Sequence, residues 1–131
     1  MPALSPYHEK GILDWSLGGA TPARPNAWWL GLAVGTPTVT GASEMGTLTG
    51  YSRLTASMGA ANSPAGSASN QNGMTFGPFS SVGSALGVDL WDGSPVGSSD
   101  VLWYGTLATA RTFGIGDTLI FAPGALTMTA S

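Results

Sequence analysis

Apolar positions in this chain fall in short clusters, each closed off by glycine, proline or small polar residues. Only the first cluster has helical spacing. Ile12 and Trp15 lie three residues apart and Leu13 and Leu17 four apart, a short apolar face at the α-helical period. Ser5 suits the N-cap, and Pro6 suits the first helical position, where its missing N–H costs nothing. Gly18-Gly19 stops the run, because glycine takes the left-handed C-terminal conformation without strain. The spacing predicts one short helix within an N-terminal helical arm over residues 1–19. Residues 21–26 carry Pro22 and Pro25 and predict an extended connector.

From residue 27 onward the pattern is that of strands. Residues 27–34 (AWWLGLAV) are an apolar run too short for a stable helix and predict a buried strand. Residues 51–58 alternate, with Leu54, Ala56 and Met58 on one face and Tyr51, Arg53 and Thr55 on the other. Residues 73–79 hold Met74 and Phe76, and 87–92 set Val88 and Leu90 against Asp89 and Trp91. Residues 101–107 alternate Val101, Trp103 and Leu107 with Leu102 and Tyr104. Two short strands follow at 118–122 and 125–129, the latter setting Leu126 and Met128 against Thr127 and Thr129. The breaks are a Gly/Thr-rich loop at 35–50, a hairpin-like connection at 91–100 and a turn at 114–117. Residues 60–72 (AANSPAGSASNQN) are small, polar and proline-broken, and predict a flexible loop within the domain. Strands punctuated this way predict a mainly β fold: an antiparallel, jelly-roll-like β-sandwich with one short N-terminal helix, in a single domain over 1–131.

Composition narrows the function. The 131 residues include 4 Lys+Arg, 7 Asp+Glu and one His, and charged residues make up 8% of the chain, against about 25% in an average soluble domain. Four basic residues cannot build the electrostatic footprint of a nucleic-acid binder. The absence of Cys excludes disulfides, zinc fingers and iron–sulfur sites. Five Trp and 43% hydrophobic residues argue against disorder. The start lacks the basic and apolar regions of a secretory signal, and no apolar run is long enough to span a membrane. The expectation is a protein made in a cytoplasm and used folded, with no membrane insertion. A compact monomer of this 13.2 kDa chain would expose roughly 6,400 Å². So few charges over that area predict that much of the surface is covered by copies of the chain or by a larger assembly. The alternative is a soluble monomer with a Ser/Thr-rich exterior.

No constellation of reactive groups stands out. His8 is the only histidine, and Asp14, six residues on, falls on another side of the same helix, so no oriented base is formed. His8 reads as a surface or interface residue. Asp89, Asp92 and Asp100 cluster in sequence, but their spacing is not that of a calcium loop, and Asp92-Gly93 is an ordinary turn pair. Asp100 and Asp117 precede strands, where carboxylates commonly accept from turn amides. The lone lysine, Lys10, lies in no phosphate-binding loop. No catalytic residue, cofactor or metal is expected. The aromatics offer a possible sugar-binding face, but successive strand residues point to opposite sides. One member of each of Trp28-Trp29 and Trp103-Tyr104 is expected in the core. Trp28, Trp91, Trp103 and Tyr104 are the candidate residues for a subunit interface.

Read end to end, the chain resembles a family of small bacteriophage virion proteins described as short tail fibre proteins. The resemblance runs from Ile12-Leu13-Asp14-Trp15-Ser16-Leu17-Gly18-Gly19 through the Pro-Asn-Ala-Trp-Trp-Leu-Gly-Leu segment at 25–32. It continues with Gly50-Tyr51-Ser52-Arg53 and Asn72-Gly73-Met74-Thr75-Phe76. It ends with Leu102-Trp103-Tyr104-Gly105-Thr106-Leu107 and the Gly-Asp-Thr-Leu-Ile-Phe-Ala-Pro-Gly-Ala-Leu stretch at 116–126. Segments 36–49 and 93–100 depart from the family pattern. The resemblance implies a non-enzymatic virion protein. A compact domain with a radius of gyration of about 14 Å is not itself a long fibre. The leading expectation is therefore a capsid decoration or cement protein that forms a homotrimer on the major capsid protein and stabilises the head. A tail or collar fibre component is the second expectation, and a carbohydrate-binding module that contacts the host surface is the third.

Overall fold

The computed structural model describes residues 3–20, 27–38, 40–46, 50–60, 66–93 and 100–129. The expected connector at 21–26, residues 61–65 of the expected flexible loop and residues 94–99 of the hairpin connection lie outside the described residues.

The chain opens with a two-residue strand, β1 (Ala3–Leu4), and then the helix α1 (Pro6–Ser16). Ser5 is the N-cap; its hydroxyl accepts from the His8 N–H at 3.2 Å and donates to the Val101 carbonyl. One buried hydroxyl thus starts the helix and ties it to the sheet. At the far end Gly18 takes φ +84° and the Gly19 N–H reaches the Asp14 carbonyl at 2.7 Å, a Schellman closure. The helix and its stops therefore match the sequence expectation. β1 was not anticipated, because two residues carry no readable period.

Eight more strands follow: β2 (Trp28–Ala33), β3 (Leu54–Ala56), β4 (Ser67–Ser69), β5 (Met74–Phe76), β6 (Gly83–Trp91), β7 (Val101–Phe113), β8 (Leu119–Phe121) and β9 (Thr127–Thr129). All pairings are antiparallel. Five strands form one sheet in the order β1-β7-β6-β2-β3, while β4 pairs with β9 and β5 with β8 as separate ladders. The fold is mainly β, antiparallel, with one short helix, as the sequence predicts. Leu30, Leu32, Val88 and Leu90 of the sheet share one core with Met74, Phe76, Leu119, Phe121 and Met128 of the ladders. This two-layered packing is consistent with a sandwich whose second layer is two short ladders rather than one continuous sheet.

Boundaries differ where periodicity is silent. β6 and β7 form a hairpin running from Trp91↔Val101 to Gly83↔Phe113, with a register shift between Ala85 and Gly87. The expected strand at 101–107 continues to Phe113 although residues 108–112 are exposed, so backbone pairing extends it and not burial. Strand β4 lies inside the stretch expected to be a flexible loop. Its Ser-Ala-Ser sequence has no β propensity of its own; it is held by pairing with β9 and by Asn70 beside it. The buried Asn70 side chain donates to the Asn72 and Ala122 carbonyls at 2.8 and 3.0 Å and accepts from the Leu126 N–H at 2.9 Å. Asn72 in turn bonds both the Ser57 N–H and the Thr55 carbonyl.

Candidate functional site

Strand pairing sorts the candidate aromatics onto two faces of the sheet. Leu30, Leu90 and Trp103 lie opposite one another in register, with Trp28 two residues from Leu30 on the same side. Gly31, Asp89 and Tyr104 align on the other side, with Trp91 two residues from Asp89. The four candidate interface residues therefore do not form one surface. Trp28 and Trp103 are brought together; Trp91 and Tyr104 are not part of that patch.

Trp91 requires a correction. It is 2% exposed and offers nothing to a partner. The Arg53 guanidinium sits 3.6 Å from the Trp91 ring centre. Gly41 packs so closely on the ring that a Cβ there would lie 2.1 Å from Trp91 Cη2. The expected split within aromatic pairs also differs, since Trp28, Trp29, Trp103 and Tyr104 are all half-buried. Each sits near an end or edge of the sheet, where neither face is fully covered.

Around Trp91 the chain assembles a buried polar cluster. The 40–46 loop runs alongside β2, with the Met45 N–H on the Leu32 carbonyl at 2.8 Å, and carries Glu44 inward. Arg53 grips both Glu44 oxygens, Nε to Oε1 at 2.6 Å and Nη2 to Oε2 at 2.7 Å, and donates Nη1 to the Gly93 carbonyl at 2.8 Å. The Tyr51 hydroxyl donates to Glu44 at 2.6 Å and accepts from the Leu32 N–H at 3.2 Å. Burial and this bond to Glu44 push the Tyr51 phenol far up. Gly31 leaves the space, since a Cβ there would lie 2.7 Å from the Tyr51 hydroxyl. Asp89 is fully buried, and neither of its oxygens has a partner among the described residues. Burial, reinforced by the Glu44 charge and opposed by Arg53, raises its carboxyl from 3.8 to about 7.

Both Glu44 oxygens are engaged by Arg53 and Tyr51. Asp92 and Asp100 instead tie the base of the β6–β7 connection: the Asp100 N–H donates to Asp92 Oδ1 at 2.9 Å. Asp117 accepts from the Gly114 N–H at 2.7 Å, closing the 114–117 turn. Among the described residues no group of three or more His, Cys, Asp or Glu converges on a metal position. His8 lies half-buried against the Trp103 ring, centroids 4.5 Å apart, and burial lowers its pKa. Asp14 is engaged by Lys10 across one helical turn.

The other face ends in an apolar cleft of about 300 Å³. Trp28, Leu90 and Trp103 of the sheet line it, with Met58, Gly66, Ala68 and Met128 from the ladder side and Ile12 from α1. The indole N–H of Trp103 is buried without a partner among the described residues. The sequence singles out Trp28 and Trp103 but not the rest of the lining, because Gly66, Ala68 and Met58 carry no signal outside this fold. Nor does it single out the Glu44–Arg53 pair. Its one available signal is an arginine inside an alternating apolar stretch in a chain with four basic residues.

The cleft thus offers apolar contact. No helix among the described residues is long and apolar enough to cross a membrane. No curated protein matches the sequence. A family model matches residues 3–129, from β1 through β9, and so covers both the cleft and the buried cluster. The chain belongs to the family described as podophage GP4 fiber I protein gp80, phage structural proteins of the fibre type.

Proposed function

We propose that this protein is a non-catalytic subunit of a podophage tail fibre, held in the virion by contact between uncharged surfaces. The observation that carries the reading is the apolar cleft beside α1, within a chain that matches a fibre family along its length. A fibre subunit needs surfaces that stay covered for the life of the particle, and uncharged, apolar contact suits that need. The family description favours a fibre over the capsid-decoration role that the compact size suggests. Self-association, in trimers or otherwise, is part of the proposal.

Gold-labelled antibody electron microscopy of purified virions tests it. Label at the tail, in small numbers per particle, is the expected result. Dense label over the head would replace the fibre reading with a capsid-decoration role. Loss of the gene product should abolish adsorption while leaving heads intact.

A further inference from the structure

Helix α1 is apolar on more than one side, yet none of its residues is buried. Trp15 is 67% exposed, Leu17 at its C-cap 80%, and Tyr7, Ile12 and Leu13 lie between 40% and 57%. An isolated 11-residue helix is marginal in water, and this one leaves Tyr7, Ile12, Leu13 and Trp15 exposed alongside its charged Glu9, Lys10 and Asp14. Ile12 lines the cleft. At 100° per residue, Leu13 and Leu17 form a ridge about 120° away from Ile12. The same molecule therefore presents an apolar ridge and, under the same helix, an apolar hole.

We propose that the Leu13–Leu17 ridge of one copy docks into the Trp28–Trp103 cleft of the next, a head-to-tail contact between identical chains. The proposal rests on the fibre reading only in taking self-association as its premise. A second copy is favoured as occupant on three counts. The cleft has room for a pair of leucine side chains, which is what the ridge supplies. Its lining presents apolar side chains without a charge that would select a charged partner. The exposed apolar side chains of α1 amount to on the order of 700 Å², nearly half of the ~1,600 Å² that a subunit buries in two standard contacts. Ridge and hole lie on different sides of the helix, so each copy meets its neighbours through two different surfaces. The contact is heterologous, the kind that closes into rings or continues as filaments.

The test is the mass of the full chain by size-exclusion chromatography with light scattering. Leu17→Glu breaks the ridge at an exposed position, and Ala68→Phe fills the hole. Wild type should run as a multiple of 13.2 kDa. Each variant alone should weaken self-association by on the order of 100-fold and run as a monomer. An equimolar mixture of the two should give a species of two chains and nothing larger, since one intact ridge meets one intact hole. If near-ultraviolet circular dichroism shows Ala68→Phe misfolded, Met58→Lys takes its place. A monomeric wild type, or variants that keep the wild-type mass, would overturn the proposal. A monomeric wild type would also remove self-association from the proposed function, whereas variants that keep the wild-type mass would overturn this contact alone; the place in the virion is read separately by microscopy.

Discussion

The two faces of the five-stranded sheet end differently. On one, Glu44, Tyr51, Arg53 and Trp91 close over the interior, with Tyr51 and Arg53 both bonded to Glu44, while the Trp91 indole N–H and the Asp89 oxygens lack a partner among the described residues. On the other, Trp28 and Trp103 run out into a cleft bordered by a helix with no fully buried residue. The closed side spends four bulky or charged residues on holding one chain in one shape. The open side leaves the same class of surface uncovered. What separates them is the origin of the covering segment. The 40–46 loop, pinned to β2 by backbone bonds, supplies the lid on the closed side. Helix α1, tied to the sheet through Ser5 and by His8 against Trp103, leaves the other side open at its far end, where Trp15 and Leu17 are exposed.

Arg53→Ala should break the closed side with the largest effect. It strands Glu44 in the interior, where the pair's side chains are 0% and 5% exposed, and removal of one partner of a buried pair costs about 3–5 kcal/mol. Urea denaturation should show a lowered midpoint, with self-association unchanged when measured below the transition.

Asp89→Asn sharpens the same side through pH. The folded-state pKa of Asp89 is raised to about 7 from 3.8. Its contribution is therefore fully present below about pH 4 and is lost as pH rises to 7. The Asn variant lacks this loss, so it should be more stable than wild type at pH 8, with the gap shrinking toward pH 4. Paired denaturation curves at pH 5 and pH 8 measure it; equal gaps at both would remove Asp89 as the source.

These two groups also show what was legible. The helix, its caps and most strands follow from apolar period and turn residues, because those signals are local. The Ser67–Ser69 strand and the second half of β7 were not legible, since pairing partners and not their own side chains hold them. The Glu44–Arg53 pair depends on a loop whose path no period encodes. Trp91 reads as an interface residue by type alone. Only the close approach of Gly41 and Arg53 makes it core.

Asn70→Ala should act at the junction of sheet and ladders. It leaves the Leu126 N–H and the Ala122 and Asn72 carbonyls without their side-chain partner, at about 1–3 kcal/mol. Amide exchange should rise first in β4 and β9. Ser5→Ala should have the smallest effect on overall stability, about 1 kcal/mol for a lost cap. Its signature is local: α1 should lose helical circular dichroism before the sheet melts. Loss of sheet and helix together would show that α1 is held by more than its first residue.

The central claim is that a neighbouring copy covers the open side. Hydrogen exchange of the full chain, followed as protein concentration is raised, tests it most directly. The account predicts that amides of α1 gain protection with concentration while those of β5 and β8, already within the core, stay constant. Protection of α1 that is identical at every concentration would contradict it.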